Sequence, residues 1–486
     1  MATASRRTFL KQGAAAIAGL GAAAGPFGGL AARAANGPKW AQENGGYGPL
    51  VPIGEADSGD VLLHLPAEFE YRLISMRGRP MSDGVPTPAR GDGMAAFSVN
   101  GRTRIVRNHE NLFQLPAFGP VDKAYDPRSG GGTTTLEVTK DRRVTADWVS
   151  LNGTNANCAG GPTPWGTWIT CEETTNGPDA NRTFLGTTID LAQKHGYLFE
   201  VPASRGLGEL VKGEPIRSAG RFAHEAVAID QASGIVYQTE DDFAYASGLW
   251  RYIPPNRPFQ DKHVADGGRL QILGVVPAGA TGPVSIDLSR NQTVGATYRV
   301  AWIDIEDPDP VFPQGIENDP AARLVYLEGE SKGAAKFSRL EGIDYFNRRI
   351  FVVSTQGGGP PFAGRPATGG FGDGWGQVWM YDIRSETLTL IFESPSQSVL
   401  DMPDNITISP RGKSVLLCED SSGANFLRGL TQDGLLFDFA LNAWVGNTGD
   451  EFAGATFSPD TQTLFVNMQA TGATFAIWGP WQRGLL

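Results

Sequence analysis

Three short stretches of this 486-residue chain place acidic residues side by side and, in two cases, directly after a cysteine. They are Cys171-Glu172-Glu173, Thr239-Glu240-Asp241 and Cys418-Glu419-Asp420. Carboxylates are the ligands that hard cations such as Ca²⁺ prefer, whereas a thiolate is a softer ligand that Ca²⁺ disfavours. The triplets therefore predict a mixed site with one softer metal and several harder ones. The alternative is that acidic residues at strand ends serve solubility alone.

The acidic triplets belong to a repeated pattern of two short apolar segments joined by a turn. Polar or small residues lie 15 positions apart in five copies, at 157/172, 225/240, 341/356, 404/419 and 454/469. In an antiparallel hairpin the start of the first strand lies opposite the end of the second. If these hairpins are inner strands, their open ends meet at one mouth of a central channel. The predicted ring contains Asn157, Glu172, Glu173, Glu225, Glu240, Asp241, Glu341, Asp404, Glu419 and Asp420.

The elements that must position this ring are short strands. The chain has 63 Gly and 33 Pro, which favours many tight turns over long helices. A sixth, poorer copy of the hairpin pattern runs from Met94 to Glu110, and a longer insertion separates the third and fourth copies. Hairpins of one pattern that are repeated along a chain are typical of propeller blades. We therefore expect an all-β fold, a single six-bladed β-propeller with the metal cluster at one mouth of the central channel.

Charge and composition exclude several classes of protein. The formal net charge is −11, and 10% of the residues are aromatic. Wholesale disorder is excluded because disordered chains are poor in aromatic residues. An acidic surface repels nucleic acid and anionic lipid, so we expect neither as a partner.

We expect the protein to be a monomer.

The first 34 residues have the pattern of an export signal. Arg6 and Arg7 precede a weakly apolar stretch from Gly13 to Leu30, and Ala32-Arg33-Ala34 resembles a cleavage site. Together these features indicate a twin-arginine signal peptide over 1–34, followed by one domain over 35–486. We expect export of the folded chain by the twin-arginine machinery to the periplasm or the medium, with no membrane anchor after processing. An uncleaved anchor is the alternative.

The three cysteines are too few for a disulfide-stapled scaffold, and an odd number leaves at least one thiol unpaired. We expect Cys171 to be a thiolate ligand, and Cys158 and Cys418 to be structural. The alternative is a disulfide between Cys158 and Cys171. His109 and His224 are expected to be structural rather than ligands.

The same stretches resemble the PhoX family of exported bacterial alkaline phosphatases. The segments that carry the resemblance are 153–161, 163–173, 220–230, 239–241, 337–342, 403–405 and 451–454. The resemblance implies a six-bladed propeller that holds two irons, bridged by an oxygen, with calcium ions around them. It implies Cys171, Glu225 and Glu341 as iron ligands and Arg339 as the arginine that grips phosphate. It implies calcium ligands drawn from Glu172, Glu240, Asp241, Asp404, Glu419 and Asp420.

The function that follows is metal-dependent hydrolysis of small-molecule phosphate monoesters. Lys332 and Lys336 are candidates for a second cationic clamp on phosphate. No Gly-x-Ser-x-Gly elbow is present, so a serine hydrolase triad is not expected. Two alternatives stay open: a non-catalytic, calcium-stabilised propeller that binds a partner or ligand, and a phosphodiesterase or phytate-type hydrolase on the same cluster. A thiolate ligand and a buried arginine favour the phosphatase, because a structural calcium ring needs neither.

Overall fold

The computed structural model describes residues 39–112, 116–181, 183–184, 187–188, 190–358 and 374–486. The predicted signal peptide over 1–34 lies outside the described residues. Within them, no helix is both long enough and apolar enough to cross a membrane.

The described residues form short strands with few helices. The strands of the first half are β1 (Lys39–Trp40), β2 (Leu50–Gly54), β3 (Val61–Pro66), β4 (Glu70–Met76), β5 (Gly91–Val99), β6 (Arg102–His109), β7 (Gly131–Val138), β8 (Val144–Thr154), β9 (Asn157–Pro162), β10 (Thr167–Glu172), β11 (Ala180–Asn181), β12 (Thr183–Phe184), β13 (Thr187–Thr188), β14 (Leu198–Pro202), β15 (Pro215–Ile216) and β16 (His224–Ile229). Those of the second half are β17 (Val236–Glu240), β18 (Leu249–Ile253), β19 (Arg269–Val276), β20 (Thr297–Asp304), β21 (Ile316–Glu317), β22 (Leu340–Phe346), β23 (Arg349–Ser354), β24 (Gln377–Asp382), β25 (Thr387–Glu393), β26 (Pro403–Ile408), β27 (Ser414–Glu419), β28 (Phe426–Thr431), β29 (Leu435–Asn442), β30 (Phe452–Phe457), β31 (Leu464–Met468) and β32 (Ala473–Trp478). The helices are α1 (Glu43–Gly46), α2 (Pro258–Asp261) and α3 (Asn318–Ser331), with 3₁₀ turns at Val121–Lys123, Arg217–Ala219 and Trp481–Arg483.

Most strands belong to six antiparallel meanders of neighbouring strands, which form five sheets. Three sheets have four strands each, in the orders β5-β6-β7-β8, β9-β10-β14-β15 and β30-β31-β32-β4. A nine-stranded sheet consists of the meanders β16 to β19 and β22 to β25, which β20 joins by pairing with both β19 and β25. The remaining large sheet contains β26 to β29 with β1, β2 and β3 along its outer edge. The two-stranded pairs are β11–β21 and β12–β13.

Six of these strands form the inside of the molecule. β5, β9, β16, β22, β26 and β30 each contact the next one in that order, and β30 contacts β5. Together they line a narrow channel. Small residues allow the close approach: a Cβ at Gly93 would lie 2.5 Å from the Ala159 Cα, and one at Gly342 would lie 2.6 Å from the Ile406 backbone nitrogen. The inner strands are therefore packed backbone to backbone.

The two ends of the described chain complete the same sheets. β4, from the N-terminal region, pairs with β32 at the C-terminal end, where Tyr71 lies opposite Ile477. The largest apolar cluster lies between this sheet and the neighbouring one, and includes Leu63, Phe437, Phe452 and Phe475. Burial of this apolar surface is the main force that holds the two sheets together.

The expectation of a nearly all-β chain is confirmed, and each predicted hairpin is present. α3 was not predicted. It lies in the insertion between the third and fourth hairpins, where Ala321, Val325 and Tyr326 bury one face of the helix.

Candidate metal centre

The six inner hairpins share a β-bulge near the start of the inner strand. In each hairpin the pairing shifts register at this point. A bulge bends the strand and re-aims a side chain. The residue after the last regular pair is, in the six hairpins in turn, Asp92, Cys158, Glu225, Glu341, Asp404 and Gly454. Five of the six positions thus carry a side chain that can bind a metal ion.

A second set of ligands follows the other strand of each hairpin. In each hairpin, the first residue after the second strand donates its backbone N–H to a backbone carbonyl near the start of the inner strand. In five hairpins this carbonyl belongs to the residue two positions before the bulged residue, and in the sixth to the residue three positions before it. The pairs are Glu110 with Arg90, Glu173 with Ala156, Asp241 with Ala223, Thr355 with Arg339, Asp420 with Met402 and Gln469 with Glu451. This repeated hydrogen bond brings acidic side chains from both strands to the same mouth of the channel.

The ligand atoms at this mouth form three overlapping groups. Within each group the atoms lie within 4.8 Å of one another. The groups are Cys158–Glu173–Glu225, Glu225–Glu341–Asp404 and Asp404–Asp420–Glu451. We call these seven residues the acidic cluster. Glu225 belongs to the first two groups and Asp404 to the last two, so the cluster is continuous.

Burial and mutual repulsion favour the protonated form of several glutamates and of Asp404 in the acidic cluster when no cation is bound. Burial raises the pKa of Glu225 well above its usual value, and the nearby Glu341 and Asp404 raise it further. Burial also raises the pKa of Glu173, Asp404 and Glu451, with a further contribution from neighbouring carboxylates. Bound cations would remove this repulsion.

A second observation, on hydrogen bonding, also indicates that the residues of the acidic cluster can bind metal ions. Both carboxylate oxygens of Glu225 are buried and have no hydrogen-bond partner among the described residues. An unpaired buried carboxylate is costly, and a cation would satisfy it. The Cys158 thiol lies 3.8 Å from Asp92 Oδ2, and burial raises the pKa of this thiol, so it requires a metal to become a thiolate.

Arg339 is the cation that the protein itself supplies to this site. Its Nε lies 3.0 Å from Asp241 Oδ1, and its Nη2 donates to Asp241 Oδ2 at 2.9 Å and to Glu341 Oε1 at 2.8 Å. Although burial alone would lower it, Asp241 and Glu341 raise the pKa of Arg339. The Phe243 ring covers one face of the guanidinium, with its centroid 3.9 Å from Cζ. Arg339 therefore stays charged and is held in one orientation.

A hydrogen-bonded group on the opposite side of the channel mouth neutralises two further acids. Arg90 forms an ion pair with Glu110. Gln469 Nε2 donates to Asp92 Oδ2 at 2.7 Å and to Glu110 Oε2 at 2.9 Å. Burial and the charge of Glu110 raise the pKa of Asp92 to about 7. Asp92 and Glu110 thus extend the acidic cluster.

The structure brings some of the predicted site residues together. Glu225, Glu341, Asp404 and Asp420 lie in the acidic cluster, and Arg339 and Asp241 lie beside it. The thiol among the carboxylates is that of Cys158, not that of Cys171. Cys171 is fully buried in an apolar cluster with Ile169, Leu198, Val227 and other residues. All three cysteines are unpaired, so the alternative of a Cys158–Cys171 disulfide is not observed.

Of the other predicted carboxylates, Glu172 and Glu419 have protein partners at both oxygens, whereas Glu240 Oε1 is buried with no hydrogen-bond partner among the described residues. Glu172 bonds to His195 and to three backbone N–H groups. Glu240 accepts from the Gly248 N–H and the Trp250 indole. Glu419 pairs with Arg428 and accepts from two N–H groups. Each of these three glutamates is the last residue of its strand. Because successive side chains point to opposite faces, the glutamate points away from the channel mouth and the residue after it faces the mouth.

Sequence reasoning missed Asp92, Glu110 and Glu451, and it took Cys158 as structural. The spacing of 15 residues does not distinguish Cys158 from Asn157, because 158/173 and 157/172 fit it equally well. His109 and His224 are structural, as expected, with Thr134 and Gly220 as partners. Lys332 and Lys336 pair with glutamates of α3.

Comparison with known proteins identifies the family and a similar fold. The family description "Alkaline phosphatase PhoX" matches residues 46–147 and 141–472. No curated protein matches the chain. Among solved structures, Pseudomonas fluorescens PhoX in complex with vanadate, a transition state analogue, has a TM-score of 0.62 and 17% sequence identity, over 90% of this chain and 98% of that chain. Because the family match includes all six inner hairpins, the chain belongs to the PhoX family of alkaline phosphatases.

Proposed function

We propose that this phosphatase hydrolyses phosphate monoesters at the acidic cluster, with metal ions bound there. The observation that carries the proposal is the set of three overlapping ligand groups, each with its atoms within 4.8 Å. The unpartnered oxygens of Glu225 at the centre of the set support it. So does the fold of the Pseudomonas fluorescens PhoX, which was solved with a transition state analogue of phosphoryl transfer.

The chemistry of the ligands suggests which metals bind where. The groups that contain Cys158, Glu225 and Glu341 would hold two irons, because a thiolate suits a softer metal than calcium. The group Asp404–Asp420–Glu451 offers oxygen atoms alone and would hold calcium. Its three side chains are partly exposed, whereas Cys158 and Glu225 are buried. Calcium would therefore lie closer to solvent than iron.

The roles of the protein groups follow from their contacts. The metals would neutralise charge on the phosphoryl oxygens and lower the pKa of bound water. Arg339 would bind a phosphoryl oxygen, because its Nη1 has no hydrogen-bond partner within the part of the chain that is described. Asp241 and Glu341 orient the guanidinium for this contact. An arginine positioned in this way stabilises the charge that develops in phosphoryl transfer.

The proposal includes the architecture and the place of action. The closed ring of β5, β9, β16, β22, β26 and β30, each followed by its own meander, supports a six-bladed propeller. The sequence of residues 1–34 supports export by the twin-arginine machinery, with action as a monomer in the periplasm or outside the cell. Small phosphate esters would be the substrates.

The test uses Cys158 and Cys171, two of the three buried cysteines, as a matched pair. Metal content and turnover of p-nitrophenyl phosphate would be measured for the purified wild type, Cys158→Ala and Cys171→Ala. We expect iron and calcium in the wild type, and loss of iron together with at least a hundredfold loss of turnover in Cys158→Ala. Cys171→Ala should keep both. Full activity of metal-free protein would refute the proposal, and loss of iron in Cys171→Ala alone would return the ligand role to that residue.

A further inference from the structure

The loop between β17 and β18 carries an exposed aromatic side chain beside the site. Phe243 is 56% exposed, although its neighbours Asp241 and Asp242 are buried. An isolated exposed phenylalanine is common on protein surfaces. This one differs because its ring centroid lies 3.9 Å from Cζ of Arg339, a residue that is only 7% exposed.

The loop is built to hold the ring in this place. Asp242 Oδ1 accepts from the backbone N–H groups of Ala244 at 2.8 Å and Tyr245 at 2.9 Å, so the carboxylate fixes the turn around Phe243. The Asp242 N–H donates to the Ser247 hydroxyl. Ser247 and Phe337 exchange two backbone hydrogen bonds at 3.0 and 3.1 Å, two residues before Arg339. The segments that carry the ring and the guanidinium are therefore tied together.

These contacts leave Nη1 of Arg339 as the atom at which a phosphate ester can bind. Asp241 and Glu341 occupy Nε and Nη2, and Phe243 covers one face of the guanidinium. A phosphoryl oxygen bound at Nη1 would bring the alcohol part of its ester near the exposed ring, because the ring lies over the same guanidinium. An exposed aromatic face gains most from a flat apolar group stacked against it.

We infer that Phe243 is a specificity-determining residue that contacts the leaving group and favours phosphate esters of aromatic alcohols over those of small polar alcohols. The inference rests on the proposed function, since it requires the phosphoryl group to bind at Arg339. The ring touches the leaving group and not the phosphoryl group, so its removal should affect esters according to their alcohol.

The experiment compares two esters in wild type, Phe243→Ala and Phe243→Tyr. For Phe243→Ala we expect KM for p-nitrophenyl phosphate to rise about three- to tenfold, while KM for glycerol phosphate stays within about twofold. Phe243→Tyr should restore the preference. Leu207→Ala is the control, because Leu207 is 51% exposed and follows β14 at the end opposite to the channel mouth. It should change neither ester.

Three outcomes would overturn the inference. An equal loss for both esters, with weaker inhibition by inorganic phosphate, would show that the ring only supports Arg339. No change for either ester would show that the ring does not touch substrate, and a preference not restored by Phe243→Tyr would exclude a stacking role. Failure of the proposed function is distinct: metal-loaded wild type would then hydrolyse neither ester.

Discussion

At the scale of single residues, Glu225 and Glu172 show how differently two fully buried glutamates are used. Glu225 has no hydrogen-bond partner for either oxygen among the described residues. Glu172 accepts from three backbone N–H groups and from His195 Nδ1 at 2.6 Å. Although burial alone would lower it, Glu172 and Asp126 raise the pKa of His195 to about 9, which favours the protonated imidazole at neutral pH. Glu172 therefore stabilises the protein, and Glu225 is available to a metal.

This contrast predicts opposite effects for the same substitution. In metal-free protein, Glu225→Gln should keep or raise the free energy of unfolding, because it removes a buried carboxylate without partners. Glu172→Gln should lower it by about 3 kcal/mol, because the charge of His195 would lose the nearer of its two carboxylate partners. In metal-loaded protein, Glu225→Gln should lose metal and at least a hundredfold in turnover. Denaturant unfolding with and without chelator measures the first effect, and an equal destabilisation by both variants would contradict it.

At the scale of elements, the hairpins could be predicted from the sequence and their bulges could not. Apolar segments separated by turns and repeated along the chain are sufficient to identify six strand pairs. A bulge depends on how neighbouring backbones fit, and no local composition marks it. Because a shift of one residue turns a side chain to the opposite face, the position of the bulge decides between Glu172 and Glu173 and between Glu419 and Asp420.

The position of the bulge in the second hairpin also explains why Cys158 lies near the carboxylates and Cys171 does not. Cys158 occupies the bulged position of the second hairpin, whereas Cys171 lies inside β10 with its side chain in an apolar cluster. The family resemblance implied a thiolate ligand, and the structure assigns the place near the carboxylates to Cys158. Asp92 was missed for a related reason: the first copy of the repeat is poorer, so its pattern begins at Met94 rather than at the bulge.

Four of the six bulges are preceded, two residues earlier, by a residue with strained backbone. Arg90, Ala156, Arg339 and Met402 occupy this equivalent position with φ between 45° and 52°. Such a φ costs a non-glycine residue about 1–2 kcal/mol. Ala223 has the same position in the third hairpin, and its carbonyl accepts the same backbone hydrogen bond, but it is not among the described residues with positive φ.

Ala156 and Ala223 therefore provide a matched test of this strain. Both are buried, and both would lose one methyl group on replacement by glycine. Ala156→Gly should be less destabilising than Ala223→Gly by about 1 kcal/mol, because only the first relieves a positive φ. Denaturant unfolding of the two variants in the same metal-loaded state measures the difference. Equal losses would mean that the backbone at Ala156 stores no strain.

At the scale of the whole molecule, the inner strands concentrate negative charge where they meet. Every inner hairpin contributes an acidic or thiol side chain to the channel mouth from its bulged position except the sixth, where Gly454 occupies that position and Glu451, just before the strand, supplies the acid. Apolar packing between sheets must hold these groups together. The charge of the cluster is therefore coupled to the stability of the whole ring.

This coupling predicts a dependence on pH that cations reverse. The pKa of Asp92 is raised to about 7, and those of Glu225, Glu341, Asp404 and Glu451 are also raised. Carboxyls whose pKa is higher in the folded state bind more protons folded than unfolded, so stability falls as pH rises from the ordinary carboxyl pKa through the raised one. The Tm of metal-free protein should therefore fall from about pH 5 to about pH 8.

Metal-loaded protein should behave in the opposite way, because ligands must lose their protons to bind cations and binding to the folded state adds stability. Its Tm should stay level or rise over the same range, and adding Ca²⁺ to chelated protein should raise Tm more at the higher pH than at the lower. Thermal unfolding at fixed ionic strength, with and without chelator, measures both curves. A Tm that rises with pH in metal-free protein would contradict the coupling, because burial would then favour the ionised carboxylates and the ring would need no cation to close around them.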